Sequence, residues 1–232
     1  AVTEPVTRFV IECPCGPVAV SVEITEGRPG NVSFESVPAF AAALDQTVEI
    51  DWGGEARFPV RYDLGYGGAF YAVAEAARFG LAFGKNPASA FIEAAARVTD
   101  ALRASATISH PDDPRLGFLY GTILTDGKDN WSPEPTRNIC VFAERQVDRS
   151  PTGSGVTARL ALMHARGRIE AGQPRVFESV VGSAFTGEIA AVESNAAGVT
   201  IVARVSGRAH YTGTARFIVE DDDPLRGGFL VT

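Results

Sequence analysis

One segment, VDRSPTGSGVTAR at residues 147–159, constrains this chain more than any other. It separates a strand-like run, Asn138–Ala143, from a helical pattern that runs from about Val156 to Arg166, so it must turn a strand directly into a helix. Pro151 fixes one φ angle, while Gly153 and Gly155 let the backbone approach another group closely. The N–H groups of Gly153, Ser154 and Gly155 would then stand at a helix N-terminus, where an anion binds. Asp148, four residues before Thr152, adds a carboxylate able to hold an ammonium or a secondary amine. An anion cradle beside a carboxylate suits a zwitterionic amino acid. The same residues would also serve as a plain helix start, with Asp148 or Ser150 as the N-cap and no ligand. The turn alone leaves both readings open.

Strand patterns dominate the rest. Residues 8–24 alternate apolar and polar about a Pro-Cys-Gly turn, which predicts a β-hairpin. Short strands are predicted at Val32–Phe34, Val48–Ile50 and Phe58–Tyr62. The pattern from Ala69 to Gly80 predicts a helix, with Phe70, Val73 and Ala77 on one face. A second helix, capped by Ser89, is predicted to run to about Ser105, with Phe91, Ile92, Ala95, Val98 and Leu102 at the 3.6 period. Further strands are predicted at Leu116–Leu124, Val176–Val181, Phe185–Val192, Thr200–Val205, Ala209–Thr212 and Arg216–Val219. The pattern is that of an α+β protein of two lobes.

Composition narrows the function classes. With 28 acidic against 21 basic residues the net charge is −7, and no basic stripe offers itself to a phosphate backbone, so no nucleic-acid partner is expected. No apolar run approaches the roughly 20 residues that a bilayer requires, so no membrane span is expected. Cys13, Cys15 and Cys140 cannot build a disulfide framework, and His110, His164 and His210 show no ligand spacing. Buried thiols in a reducing compartment are the simpler reading, and no metal is expected. AVTEPVTRFVIECPCG shows neither a basic n-region nor an apolar h-region, so no signal peptide is visible. Ser154 lacks the G-x-S-x-G context of a nucleophile elbow. Gly65–Gly68 reads as a tight turn, Asp221–Asp223 as a solvated turn before Pro224, and His110 as a structural loop histidine. Trp131, in a polar loop, is a candidate cover for a site.

Several blocks together carry a resemblance. They are CPCG at 13–16, FESVPAF at 34–40, YGGAFYA at 66–72 and HPDDPRLGFLYGTILTDGKD at 110–129. They continue with TRNICVFAERQVDRSPTGSGVTAR at 136–159, FTG at 185–187 and GRAHYTGTARFIVEDDDPLRGGF at 207–229. Over essentially its whole length the chain resembles the proline racemase superfamily, and within it the trans-3-hydroxy-L-proline dehydratase branch. The resemblance implies two pseudo-symmetric lobes of curved, mostly antiparallel strands around a central helix, like diaminopimelate epimerase. It divides the chain into residues 1–84 (remainder of a first lobe), 85–207 (a second lobe) and 208–232 (a return segment completing the first). In racemases of this kind, a cysteine at a helix N-terminus of each lobe faces the substrate; one removes the α-proton and the other returns one.

The second cysteine belongs in a motif of the form DRSPCGTG, and this chain reads DRSPTGSG, with Thr152 in its place. A hydroxyl is too weak an acid to partner a thiolate, so two-base racemisation is not expected. Elimination needs one base and help for a departing β-hydroxyl. The resemblance therefore implies a cofactor-independent lyase that dehydrates trans-3-hydroxy-L-proline to pyrroline-2-carboxylate. Thr152 would act on the leaving hydroxyl, Asp148 on the ring amine, and the backbone of Gly153 and Ser154 on the carboxylate, with Phe142 at an aromatic wall. The alternatives are a proline or 4-hydroxyproline racemase or epimerase, and a non-catalytic amino-acid-binding relative. A cytoplasmic protein with an amino acid substrate is expected, and a homodimer is compatible with it. The family's first catalytic motif, MCGH, does not occur in the sequence, and Cys13, Cys15 and Cys140 do not stand in its context. The catalytic cysteine is accordingly expected to lie before Ala1.

Overall fold

The computed structural model describes residues 2–195 and 198–229. Six strands come first: β1 (Val6–Cys13), β2 (Gly16–Thr25), β3 (Arg28–Glu35), β4 (Phe40–Trp52), β5 (Glu55–Tyr66) and β6 (Phe70–Glu75). Helix α1 (Ala88–Ser105) follows, then β7 (Leu119–Thr125), β8 (Thr136–Phe142) and the two-residue β9 (Gln146–Val147). Helix α2 (Gly153–Ala165) leads to β10 (Arg175–Ser179), β11 (Ala184–Asn195) and β12 (Gly198–Gly207). The strands join in one curved sheet in the order β1-β2-β3-β12-β11-β10-β8-β7-β6-β5-β4, with β9 beside β8. Among the described residues, only the β6–β7 and β8–β10 pairs are parallel. The architecture is the expected α+β one, with mostly antiparallel strands wrapped about a helix.

The curl has a specific cause. After β3 the chain stays beside β12, where Ser36 N–H donates to Ala203 O and Ala39 exchanges two hydrogen bonds with Ile201, each 2.8 Å. One residue later Phe40 pairs with Tyr66 of β5. A single stretch thus carries the sheet from β12 towards β5, and α2 packs against β4, β5, β6, β11 and β12. Enclosure explains why Gly155 through Met163 are all buried, with no solvent-facing stripe.

Helix α1 lies on the other face. Ala72 and Ala74 of β6, Leu124 of β7, and Ile139 and Val141 of β8 pack into the α1 core. Their neighbours Tyr71, Val73, Ile123 and Cys140 pack with Ala158 and Leu162 of α2. The central strands are therefore covered on both sides, which makes their sequences apolar throughout rather than alternating.

This double burial corrects one expectation. Residues 69–80 are not a helix: Phe70–Glu75 is β6, antiparallel to β5 and parallel to β7, followed by a 3₁₀ turn over Ala76–Phe79 that Gly80 ends at φ 70°. A strand with no polar face loses its two-residue period, and strand pairing on both edges outweighs the helix preference of its alanines. The strands expected at 209–212 and 216–219 are also absent. Residues 208–229 are exposed and carry no strand: they pair with neither edge of the sheet, β1 or β4. Ser89 is not the cap of α1, which starts at Pro87 without a side-chain cap. The domain limits expected at residues 1 and 232 lie outside the described residues. Among those residues, no helix is long and apolar enough to cross a membrane.

Candidate active site

The segment that stood out in the sequence becomes the start of α2. Hydrogen bonding of Asp148 N–H to Cys140 O (3.3 Å) anchors the chain beside β8, and the turn then climbs to Gly153. Thr152 is the N-cap residue at φ 70°, ψ 108°, in the left-handed half of the map where a β-branched residue is a true outlier. Neither Asp148 nor Ser150 caps the helix, and no side chain does. The amide end of α2 is therefore left for another acceptor, as an anion site requires.

The four site residues expected from the sequence come together. Thr152 Oγ1 donates to Asp148 Oδ2 at 2.9 Å, while Asp148 Oδ1 accepts from Ser150 N–H at 2.8 Å. Ser150 Oγ in turn accepts from Thr152 N–H at 3.1 Å. Gly153 and Ser154 are the first two residues of α2 and are part-exposed. Glycine at 153 leaves room for the Phe34 ring, which a Cβ would approach to 3.0 Å. Opposite, Gly67 lets β5 end against the helix start: a Cβ would lie 2.2 Å from Ser154 O and 2.5 Å from Ala158 N.

Other members of the site were not singled out in the sequence. Tyr71, fully buried on β6, shares a 2.7 Å hydrogen bond with Ser154 Oγ. Burial, reinforced by Cys140, pushes its phenol far above the ordinary range, so it stays protonated. Tyr71 leans edge-on to Tyr120 (5.5 Å), which stacks on Phe142 (5.4 Å), the residue expected at an aromatic wall. Cys140 lies wholly buried beneath the turn; burial pushes its thiol up to about 12, partly offset by its contact with the Thr152 side chain. Under Pro151 sits a buried polar chain of Asn138, Arg159 and Thr136. A polar residue inside each of the apolar runs TRNICVF and VTARLALM was the only signal of it.

Features elsewhere separate from this cluster. Cys13 and Cys15 line a cleft of about 750 Å³ with Phe40, Tyr66, His110 and Asp113, and none of the four candidate residues contributes to it. His110 accepts from the N–H groups of Asp112 and Asp113 and lies 4.6 Å from the Tyr66 ring, a loop-holding role. Trp131 donates from its indole to Pro174 O at 3.1 Å, which ties its loop to the strand entering β10. Among the described residues, no three His, Cys, Asp or Glu side chains are grouped to hold a metal ion.

Comparison with known proteins places this geometry. A sequence profile described as "Proline racemase" matches residues 1–230. The chain is 51% identical over 226 residues to the human trans-3-hydroxy-L-proline dehydratase, covering 97% of this chain and 63% of that protein. It is 35% identical over 230 residues to the proline racemase of Clostridioides difficile, covering 98% of this chain and 67% of the racemase. The crystal structure of a hydroxyproline epimerase from Agrobacterium vitis, with bound trans-4-hydroxy-L-proline, superposes with a TM-score of 0.86 at 28% identity. That superposition covers 100% of this chain and 65% of the epimerase. The chain thus spans a little under two thirds of the human relative's length.

Proposed function

The chain belongs to the proline racemase family, and we propose that it forms the threonine-bearing part of a trans-3-hydroxy-L-proline dehydratase. The observation that carries this reading is Thr152 Oγ1, held 2.9 Å from Asp148 at the uncapped start of α2. The N–H groups of Gly153 and Ser154 receive the substrate carboxylate, and Asp148 receives the ring ammonium. As the ammonium engages Asp148, the Thr152 hydroxyl is released to donate to the β-hydroxyl of the substrate. Loss of the α-proton to a base, with cleavage of the C3–O bond, forms the C2–C3 double bond. The oxygen departs as hydroxide on the Thr152 hydrogen bond and becomes water with the proton that the base gives up again, and the enamine tautomerises to pyrroline-2-carboxylate.

The base is the cysteine that the resemblance places in MCGH, a motif absent from these 232 residues. Cys140 does not replace it, because a fully buried thiol pushed up to about 12 is not a thiolate at neutral pH. The dehydratase reading is favoured over racemisation because a threonine in the second position cannot return a proton as a thiol does. Free cysteines fit a cytoplasmic setting, and a homodimer is compatible with the site on α2.

The test is incubation of the intact polypeptide with trans-3-hydroxy-L-proline in D₂O. Mass spectrometry is expected to show loss of one water and formation of pyrroline-2-carboxylate. Deuterium entering Cα of proline or 4-hydroxyproline, with no water lost from the 3-hydroxy substrate, would assign a racemase or epimerase instead.

A further inference from the structure

We infer that Asn138 is a positioning residue for Thr152, locked in its working orientation by Arg159. The role rests on the dehydratase reading above, while the geometry stands by itself. Thr152 holds φ 70°, a conformation that a β-branched side chain leaves unless its neighbours compel it. The peptide plane between Pro151 and Thr152 sets that angle, and its oxygen is gripped from the interior: Asn138 Nδ2 donates to Pro151 O at 3.2 Å.

Arg159 decides which way the amide points. Its Nη1 donates to Asn138 Oδ1 at 3.0 Å, and its Nη2 donates to Thr136 Oγ1 at 2.8 Å and to Asp129 Oδ1 at 2.6 Å. A guanidinium only donates, so a flipped amide would set NH₂ against N–H and lose both bonds. Asn138, Thr136 and Arg159 are each at most 1% exposed, and Arg159 Nε has no partner among the described residues. Plain space-filling would not put an arginine there, since a buried guanidinium is costly to desolvate. What the chain delivers is one donor, aimed at the carbonyl before Thr152.

Besides the bond it accepts from Thr152, Asp148 has two holds of its own: its N–H donates to Cys140 O, and its Oδ1 accepts from Ser150 N–H. Loss of the Asn138 donor should therefore release Thr152 while leaving Asp148 and the helix amides in place. Binding and chemistry should separate.

Asn138→Asp makes the test. The aspartate keeps an oxygen for Arg159, so the buried cation retains its partner, but it cannot donate to Pro151 O. In the intact polypeptide, kcat for dehydration is expected to fall about 30-fold, with KM changed less than about 3-fold. Deuterium entry at Cα is expected to rise relative to water loss, because the base still works when the hydroxyl is misplaced. A crystal structure of the variant is expected to show Thr152 at negative φ. An unchanged φ overturns the inference whether or not the protein dehydrates anything. So does a negative φ accompanied by unaltered kcat in an active enzyme. Absence of turnover in the unsubstituted protein counts against the dehydratase reading alone, and the crystal structure then decides the positioning.

Discussion

Helices α1 and α2 cover opposite faces of the same three strands, and they are held by opposite means. The outer helix, α1, starts at Pro87 in an ordinary extended conformation and presents one apolar face, with Phe91, Ala95, Val98 and Leu102 inward. Nothing at its start is strained, and its buried polar contact, Thr99 with Thr122 of β7 at 2.8 Å, lies three turns further on. The enclosed helix, α2, starts at a threonine with φ 70°, and a buried asparagine–arginine chain lies under the preceding carbonyl. A helix that only fills a core can begin wherever its apolar stripe begins. A helix whose first amides and N-cap hydroxyl must meet a ligand needs that end fixed from beneath, even at a cost in buried polar groups.

Substitutions of graded size test this contrast. Phe91→Ala in α1 should cost about 4 kcal/mol in urea unfolding, the usual loss for a fully buried phenylalanine, with kcat retained by the folded fraction. A lost kcat at unchanged stability would mean that α1, too, supports chemistry. Thr152→Ala should lower dehydration about 100-fold, or about 2.7 kcal/mol in the barrier, while substrate still binds. Full activity would reduce Thr152 to a spacer. Smaller again is Tyr71→Phe. The Tyr71 phenol and Ser154 Oγ share a hydrogen bond that either oxygen can donate, and with the phenol as donor the serine hydrogen is left for the substrate carboxylate. Its loss should raise KM about 5-fold, close to 1 kcal/mol, with kcat nearly constant. An unaltered KM would confine Ser154 to its backbone N–H. Smallest is Ser89→Ala, expected within about 0.5 kcal/mol in thermal unfolding, because Ser89 does not cap α1. A loss of about 1 kcal/mol would restore it as a cap in solution.

Much of this was visible in the residues. The ECPCG hairpin, α1 and the strand–turn–helix at 138–166 follow from alternation, periodicity and Gly/Pro placement. Asp148, Thr152, Gly153 and Ser154 lie within seven residues of one another, so local chemistry could group them. What stayed hidden has a common cause. The β6 strand looked helical because burial on both faces erased its alternation. Tyr71 is 83 positions from Ser154, and Arg159 is 21 from Asn138, so no spacing rule joins them. Segment 208–229 alternates like a strand yet lies exposed, since a ladder needs a second strand that composition cannot supply.

By itself, the sequence determined the chemistry at the start of α2: a hydroxyl where a thiol would stand, a carboxylate four residues earlier, and glycines that leave the amides bare. Those properties belong to side chains and local turns, and they need no distant partner. That Thr152 is held at positive φ with its hydroxyl on Asp148 depends instead on how distant segments pack. That state is locally unfavourable, and it persists because Pro151 O is gripped by a side chain from a neighbouring strand, orientated by an arginine from the helix itself.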